Sequence, residues 1–326
     1  MKVAMYYNNN DIRIEEYPKP QMKDNEILVK VHSCGICGSD VVEWYRMPKA
    51  PLVQGHEVSG EIVEVGSSVS KFKIGDRVMV APKVGCGECK YCLQGNSSVC
   101  PNVKVRLPGV YAEFVLVPSE LVEKAVFSIP DDLSFDAATF VEPLACAVRA
   151  QKFSDVKKGD RVLVIGSGMS GLLHVKLALH NGIDVTAMDI NESRLKFAEK
   201  LGAKTINVKD EIKEKFDVVI LCTASLSAFE NAWKSVDIGG VVVLFTVPSP
   251  DKKVVVPVND FWRKEIRVIT SYYCGPSDLE ESLELISSDK IKVEDMITHK
   301  LPLDEIQKGF NLVLDGKDSL KVIIKP

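Results

Sequence analysis

Apolar and polar positions change rhythm once along this chain. Ahead of "SFDAATFVEPLACAVRA" (Ser134–Ala150) the apolar residues fall in short, partly alternating runs: "DIRIEEY", "EILVKVHSCG", "SGEIVEVG", "GDRVMVAP" and "YAEFVLVP". Each is rich in β-branched residues and closes on turn chemistry, which predicts strands of a compact β barrel or sandwich. From Asp160 onward, apolar strands alternate with helical segments. "RVLVIGSG" reads as a strand running into a loop, and "MSGLLHVKLALHN" as a helix stopped at Asn181–Gly182. "DVTAMD" is a strand, "ESRLKFAEKLG" a helix, and "TINV", "DVVILCT", "GVVVLFTVP" and "IRVITSY" are further strands. Alternating βα units predict a doubly wound parallel sheet, so the fold class is α/β with a β-rich partner. The last stretch returns to mixed short elements and ends in "LKVIIKP".

Composition narrows this picture. A chain of 326 residues is suited to about two domains. The formal charge is −4, from 41 basic and 45 acidic residues, which gives no reason to expect nucleic acid or an anionic membrane as partner. No apolar run approaches the roughly 18 residues that a membrane span needs. The start, "MKVAMYYNNNDIRIEEY", lacks the apolar core of a signal peptide, so a cytoplasmic location is expected. Thiols stay reduced there, and the nine cysteines then point to metal ligands or free thiols before disulfides.

Gly166-Ser167-Gly168-Met169-Ser170-Gly171 matches G-x-G-x-x-G, directly after the apolar strand and at the start of a helix. Gly166 permits a tight turn, Gly168 leaves room for a pyrophosphate, and Gly171 lets helix and strand pack closely. The helix start supplies free N–H groups and the positive end of the dipole. Asp189 ends the next strand, where a carboxylate accepts from ribose hydroxyls and repels a 2′-phosphate; this favours NAD over NADP. Arg194 is a candidate to line the adenine site or to support some NADP binding.

Cys86, Cys89, Cys92 and Cys100 have the spacing C-x2-C-x2-C-x7-C. Four thiolates fill a tetrahedral shell and leave no position for water or substrate, so zinc here would be structural. An iron–sulfur cluster also takes four cysteines, but this spacing departs from the common ferredoxin runs. A nucleic-acid finger is disfavoured by the acidic charge and the lack of a basic recognition helix.

A sparser set has the mixed donors of a catalytic metal. "GICGSD" carries Cys37, Ser39 and Asp40, "GHEVSGEIVEVG" carries His56 and Glu57, and "FVEPLACAV" carries Glu142. A thiolate, an imidazole and one or two carboxylates hold zinc with a position left open. Such a zinc is a Lewis acid toward an alcohol or a carbonyl, and Ser39 is placed to relay the hydroxyl proton.

Taken in order, "GICGSD", "GHEVSGEIVEVG", "GDRV", the four-cysteine lobe, "EPLACAV" and the nucleotide segment resemble the zinc-dependent medium-chain alcohol dehydrogenases, especially the sorbitol (polyol) and threonine dehydrogenase branch. The resemblance covers essentially the whole chain. It implies a GroES-like catalytic domain over residues 1–145 with a structural zinc lobe at 86–100, a Rossmann NAD-binding domain over 146–271, and a segment 272–326 returning to the catalytic domain. It implies two zincs per chain: a catalytic one on Cys37, His56 and Glu57, with Glu142 on the zinc or its water, and a structural one on the lobe cysteines. It further implies a homodimer or homotetramer that interconverts a small secondary alcohol and its ketone, the alcohol being a polyol or sugar-derived. The alternatives are an L-threonine 3-dehydrogenase-like enzyme or a non-catalytic binding member of the family. The chain departs from the pattern at Val42, where relatives often carry a histidine, at Glu43, often tyrosine in polyol dehydrogenases, and at Tyr272, where those enzymes have an arginine. Trp44 follows the polyol pattern. The segment between Cys100 and Tyr111 is shorter than in many relatives.

Overall fold

The computed structural model describes residues 1–326 and divides into two compact units, Met1–Pro143 with Cys274–Pro326, and Leu144–Tyr273. The first unit is built on a seven-stranded sheet. Its central strand, Ile27–Gly35, pairs antiparallel with Glu57–Val65, Phe114–Val117 and the C-terminal strand Lys321–Lys325. Arg77–Val80 and Val126–Ser128 extend the sheet on one side, and Ile297–Pro302 extends it on the other. The register fixes the chemistry that follows. Gly35 lies opposite Glu57 on one neighbour and Ile323 on the other, so residues from three distant stretches meet at the end of one strand.

A smaller sheet joins Asp11–Glu16, Lys2–Asn8 and Leu52–Val53. The alternation rule does not find Lys2–Asn8, because Val3, Ala4, Met5 and Tyr6 are all buried and the run reads as continuously apolar. The C-terminal stretch holds longer elements than its mixed pattern predicts. Helices Pro276–Ser287 and Ile306–Asp315 each bury a single face, and the second links the parallel strands Ile297–Pro302 and Lys321–Lys325.

The second unit is a six-stranded parallel sheet. Its order is Lys204–Asn207, Asp184–Asp189, Arg161–Ile165, Phe216–Leu221, Val236–Leu244, Arg267–Thr270. Arg161–Ile165, the first strand of this unit, therefore sits inside the sheet, and the order reverses beside it. Ligands of open α/β sheets bind at this switch point, beyond the carboxyl ends of the strands. Leu163, Ile165, Val219, Leu221, Phe229 and Val242 form the core that holds the Arg161–Ile165 strand end in place. Helix Met169–His180 starts four residues past that end.

Candidate active site

Strand Ile27–Gly35 delivers the chain to Cys37, which caps the 3-10 turn Gly38–Val41. Ser39 N donates to Cys37 Sγ at 3.4 Å, and Cys37 N donates to Asp40 Oδ2 at 3.1 Å. The first of these aims a backbone N–H at the sulfur. Strand Glu57–Val65 starts opposite Gly35 and brings His56 and Glu57 to the same spot. One ligand atom from each of Cys37, His56 and Glu57 lies within 4.8 Å of the others.

Asp40 organises this group. Its fully buried carboxylate accepts from Arg46 Nη2 at 2.6 Å and from the Tyr111 hydroxyl at 2.7 Å, and lies 3.3 Å from His56 Nδ1. Burial opposes its ionisation, yet His56, Arg46 and Tyr111 together hold its pKa down at about 2. With Nδ1 turned to Asp40, Nε2 is the His56 atom left for a metal. Burial works to lower the His56 pKa, but Asp40 and Cys37 outweigh it and raise it well above the usual value. A metal entering here competes with a proton.

Glu57 and Lys321 form a buried ion pair, both side chains fully enclosed. A side chain on Gly35 would occupy the space of Glu57 Oε2 and the Lys321 ammonium, so the glycine makes room for the pair. The other carboxylate oxygen, Glu57 Oε1, is buried without a hydrogen-bond partner. Such an orphan is costly unless something binds it. A cation held with Cys37 and His56 answers that need, so the donors present fit a zinc ion.

The lobe is a separate donor set. Its sulfurs lie 3.6 Å apart for Cys89–Cys92 and Cys86–Cys100, 3.8 Å for Cys89–Cys100 and 4.0 Å for Cys86–Cys92. A tetrahedron with Zn–S bonds of about 2.3 Å has edges of about 3.8 Å. None of these cysteines is in a disulfide. Backbone N–H groups of Cys86, Cys89 and Asn102 point at the sulfurs. The four sulfurs fit one zinc with its shell closed.

In the second unit, Gly166 takes φ +94°, which the tight turn requires, and Gly171 lies too close to the Gly166 carbonyl for a Cβ. Gly168 caps the helix that starts at Met169 and continues through Ser170, leaving their N–H groups at its positive end. Asp189 accepts from Ser167 N at 2.6 Å and Asn191 N at 2.8 Å, which holds its carboxylate beside the loop. Arg194 Nη1 stands 4.0 Å from Asp189 Oδ2 and would be 3.5 Å from a side chain on Gly168. The buried Ser167 hydroxyl has no protein partner.

Glu142 is not grouped with Cys37, His56 and Glu57; in the first turn of helix Val141–Phe153, its carboxylate lies within 4.8 Å of the Cys274 thiol instead. Four residues the motifs did not mark complete the site: Gly35, Arg46, Tyr111 and Lys321. Only Lys321 left a signal, a lysine inside the apolar strand "LKVIIKP". A lysine so placed is buried only when paired.

Comparison with known proteins agrees with this architecture. Residues 23–131 match the alcohol dehydrogenase GroES-like domain, and residues 171–288 match the zinc-binding dehydrogenase domain. A sorbitol dehydrogenase of Bacillus subtilis is 31% identical over 100% of this chain and 97% of its own. An L-threonine 3-dehydrogenase of Shewanella woodyi is 33% identical over 94% of each. A Sinorhizobium meliloti structure bound to NADP has a TM-score of 0.88 at 28% identity, covering 100% of this chain and 99% of that one. A GroES-like domain joined to a Rossmann domain defines an oxidoreductase. The chain belongs to the zinc-dependent medium-chain alcohol dehydrogenase family.

Proposed function

We propose that the chain is a zinc- and NAD-dependent dehydrogenase that interconverts a secondary alcohol, a polyol or sugar-derived one, and its ketone. The observation that carries the reading is the Cys37–His56–Glu57 group with the unpartnered Glu57 Oε1 among its donors. Cys37, His56 and Glu57 would hold the catalytic zinc, which supplies a Lewis acid toward the alcohol or ketone oxygen. Cys86, Cys89, Cys92 and Cys100 would hold the structural one.

The remaining work falls to the chain's own groups. NAD held at the dinucleotide loop would supply the hydride acceptor for oxidising CH–OH to C=O, and the proton released is left to the protein. Ser39 receives that proton and passes it outward. Val42 offers no second relay group, so the route from Ser39 runs through water or the cofactor ribose. Arg46 Nη2 donates to Ser39 Oγ at 3.2 Å, which fixes the hydroxyl and turns its own hydrogen away from the guanidinium. Asp40 keeps His56 oriented, and Lys321 holds one Glu57 oxygen so that the other faces the metal position. At the dinucleotide loop, Gly166, Gly168 and Gly171 with the N–H groups of Met169 and Ser170 would cradle the pyrophosphate. Asp189, held beside the loop by the Ser167 and Asn191 N–H groups, supports NAD, with Arg194 at the adenosine end.

Val42 speaks against a threonine-type enzyme, and the presence of Cys37, His56 and Glu57 together speaks against a non-catalytic member. Self-association is part of the reading. Strand Arg267–Thr270 pairs on one side only, and Ile238, Val258, Trp262 and Val268 are exposed on the same unit. A homodimer or homotetramer is expected by light scattering, and a monomer at micromolar concentration would contradict this.

The test is a screen of cofactor reduction with polyols, threonine and simple alcohols, with NAD and NADP in parallel. Turnover of a polyol with NAD is expected. No activity with any secondary alcohol would overturn the reading, threonine as the best substrate would favour the rival, and a preference for NADP would contradict the role given to Asp189.

A further inference from the structure

Arg46 carries more donors than the protein uses. Its Nε donates to the Ser39 carbonyl at 3.0 Å, and Nη2 spans the Ser39 hydroxyl at 3.2 Å and Asp40 Oδ1 at 2.6 Å. A guanidinium has five N–H donors, so these three contacts leave both hydrogens of Nη1 without a protein acceptor. The side chain is only 13% exposed, which limits how well water can serve them.

Two further cations stand nearby. The Lys49 ammonium lies 3.6 Å from the centre of the Tyr45 ring, and the Arg46 guanidinium carbon 4.9 Å from it. Arg106 acts on the same residue: burial pushes the Tyr45 phenol pKa up, but Lys49, Arg46 and Arg106 outweigh it and bring it down. Arg106 belongs to the short segment "PNVKVRLPGV" (Pro101–Val110), which holds two cations and no carboxylate. That segment is strapped to the stretch just ahead of His56 and to the chain that follows strand Arg77–Val80. Leu107 N donates to the Pro82 carbonyl at 2.8 Å, and Val110 N and Tyr111 N donate to the Gln54 carbonyl at 2.7 and 3.1 Å. Gly109 packs so tightly on the Val53 carbonyl that no side chain fits there.

The acids of this region are already engaged. Asp40 is shared between Arg46 and His56, and Glu43 turns to the Asn9 N–H at 3.4 Å. Neither Lys49 nor Arg106 has a carboxylate partner. A neutral polyol offers these cations hydroxyl acceptors but no charge to neutralise them. A phosphate monoester brings a charge near −2 and three acceptor oxygens, which suit an arginine end and two flanking cations.

We propose that Arg46, Lys49 and Arg106 form a phosphate subsite beside Ser39, so that the alcohol oxidised is the phosphate monoester of a short polyol. The inference rests on the dehydrogenase reading and deepens it. One guanidinium touches the relay hydroxyl and offers Nη1 to the phosphate, so a short carbon chain spans the two. The phosphate anchors the substrate and is unchanged by the reaction.

The experiment compares sorbitol with sorbitol 6-phosphate, and arabitol with arabitol 5-phosphate, on the zinc-loaded enzyme with NAD. Gluconate serves as a carboxylate control and inorganic phosphate as a competitor. The phosphate esters are expected to exceed their parents in kcat/KM by roughly tenfold or more, the worth of one charge-assisted contact. Inorganic phosphate should compete with them. Lys49→Ala and Arg106→Ala should each lower the ester-to-parent ratio of kcat/KM by about tenfold; a merely structural role would lower both substrates alike and leave the ratio in place. A ratio near one in the wild type, a ratio unmoved in both variants, or a preference for gluconate overturns the subsite. Parent polyols oxidised without such a preference would sink this inference alone, whereas failure of every secondary alcohol would sink the dehydrogenase reading and this one with it.

Discussion

The two cysteine-bearing donor sets of the first unit are built in opposite ways. The lobe set is local: four sulfurs from Cys86–Cys100 meet each other and the N–H groups of their own loop. The set around Cys37 is assembled from far apart. Cys37 comes from the end of one strand, His56 and Glu57 from the next, and Lys321 from the C-terminal strand. The lobe closes a tetrahedron and leaves nothing for a substrate. The other set is short of donors, keeps one carboxylate oxygen unpartnered, and is held in place by Asp40 and Lys321. A complete shell is suited to holding structure, and an incomplete, braced shell is suited to chemistry.

The sharpest way to break this contrast is Cys37→Ser. Losing a Lewis acid worth several kcal/mol should cost on the order of a thousandfold or more in kcat. NADH binding, read by fluorescence, should persist, because the dinucleotide loop lies in the other unit. Wild-type turnover in the variant would remove Cys37 from the site.

Next in size is Lys321→Met. It leaves a buried Glu57 carboxylate without its cation, a change that typically costs about 3–5 kcal/mol. The melting temperature should fall steeply, and adding Glu57→Gln should restore part of it. An unchanged melting temperature would mean that the pair braces nothing. On the lobe, Cys92→Ser should raise protease cleavage near residues 86–100 with a smaller global loss, since the effect stays in one loop. Equal protection of mutant and wild type would contradict the staple.

The prediction for the second unit shows only as pH falls, is absent near neutral pH, and serves as a control on the first. His174 is fully buried in the dinucleotide helix, and burial lowers its pKa from 6.5 to about 3. The unfolded chain therefore binds a proton that the folded one does not between those values. Stability from this group is complete above pH 6.5 and is lost as pH falls toward 3, at up to about 1.4 kcal/mol per pH unit. His174→Gln should flatten that part of the melting curve against pH, and an unaltered slope would refute the assignment.

The contrast also explains what could be read from the chain beforehand. The lobe and the dinucleotide loop are legible because their chemistry is sequence-local: cysteine spacing in one case, glycine spacing between a strand and a helix in the other. The βα rhythm likewise gave the parallel sheet. The braces were hidden because they depend on register. That Gly35 faces both Glu57 and the C-terminal strand follows from strand pairing, which spacing along the chain does not encode. Arg46 belongs to no motif, and its part in the site comes from the turn that folds it back on Ser39. The resemblance implies Glu142 on the zinc or its water, and spacing along the chain does not encode its place near the Cys274 thiol. Lys2–Asn8 escaped the alternation rule because both of its faces are covered.

The division of labour between the two donor sets is tested most directly by counting zinc and turnover together in wild type, Cys92→Ser and Cys37→Ser. The account predicts two zincs per chain in the wild type. It predicts one in Cys92→Ser with turnover retained per folded molecule, and one in Cys37→Ser with turnover gone. If Cys92→Ser stays folded, keeps one zinc and yet loses turnover, the chemistry resides in the lobe and the account is wrong.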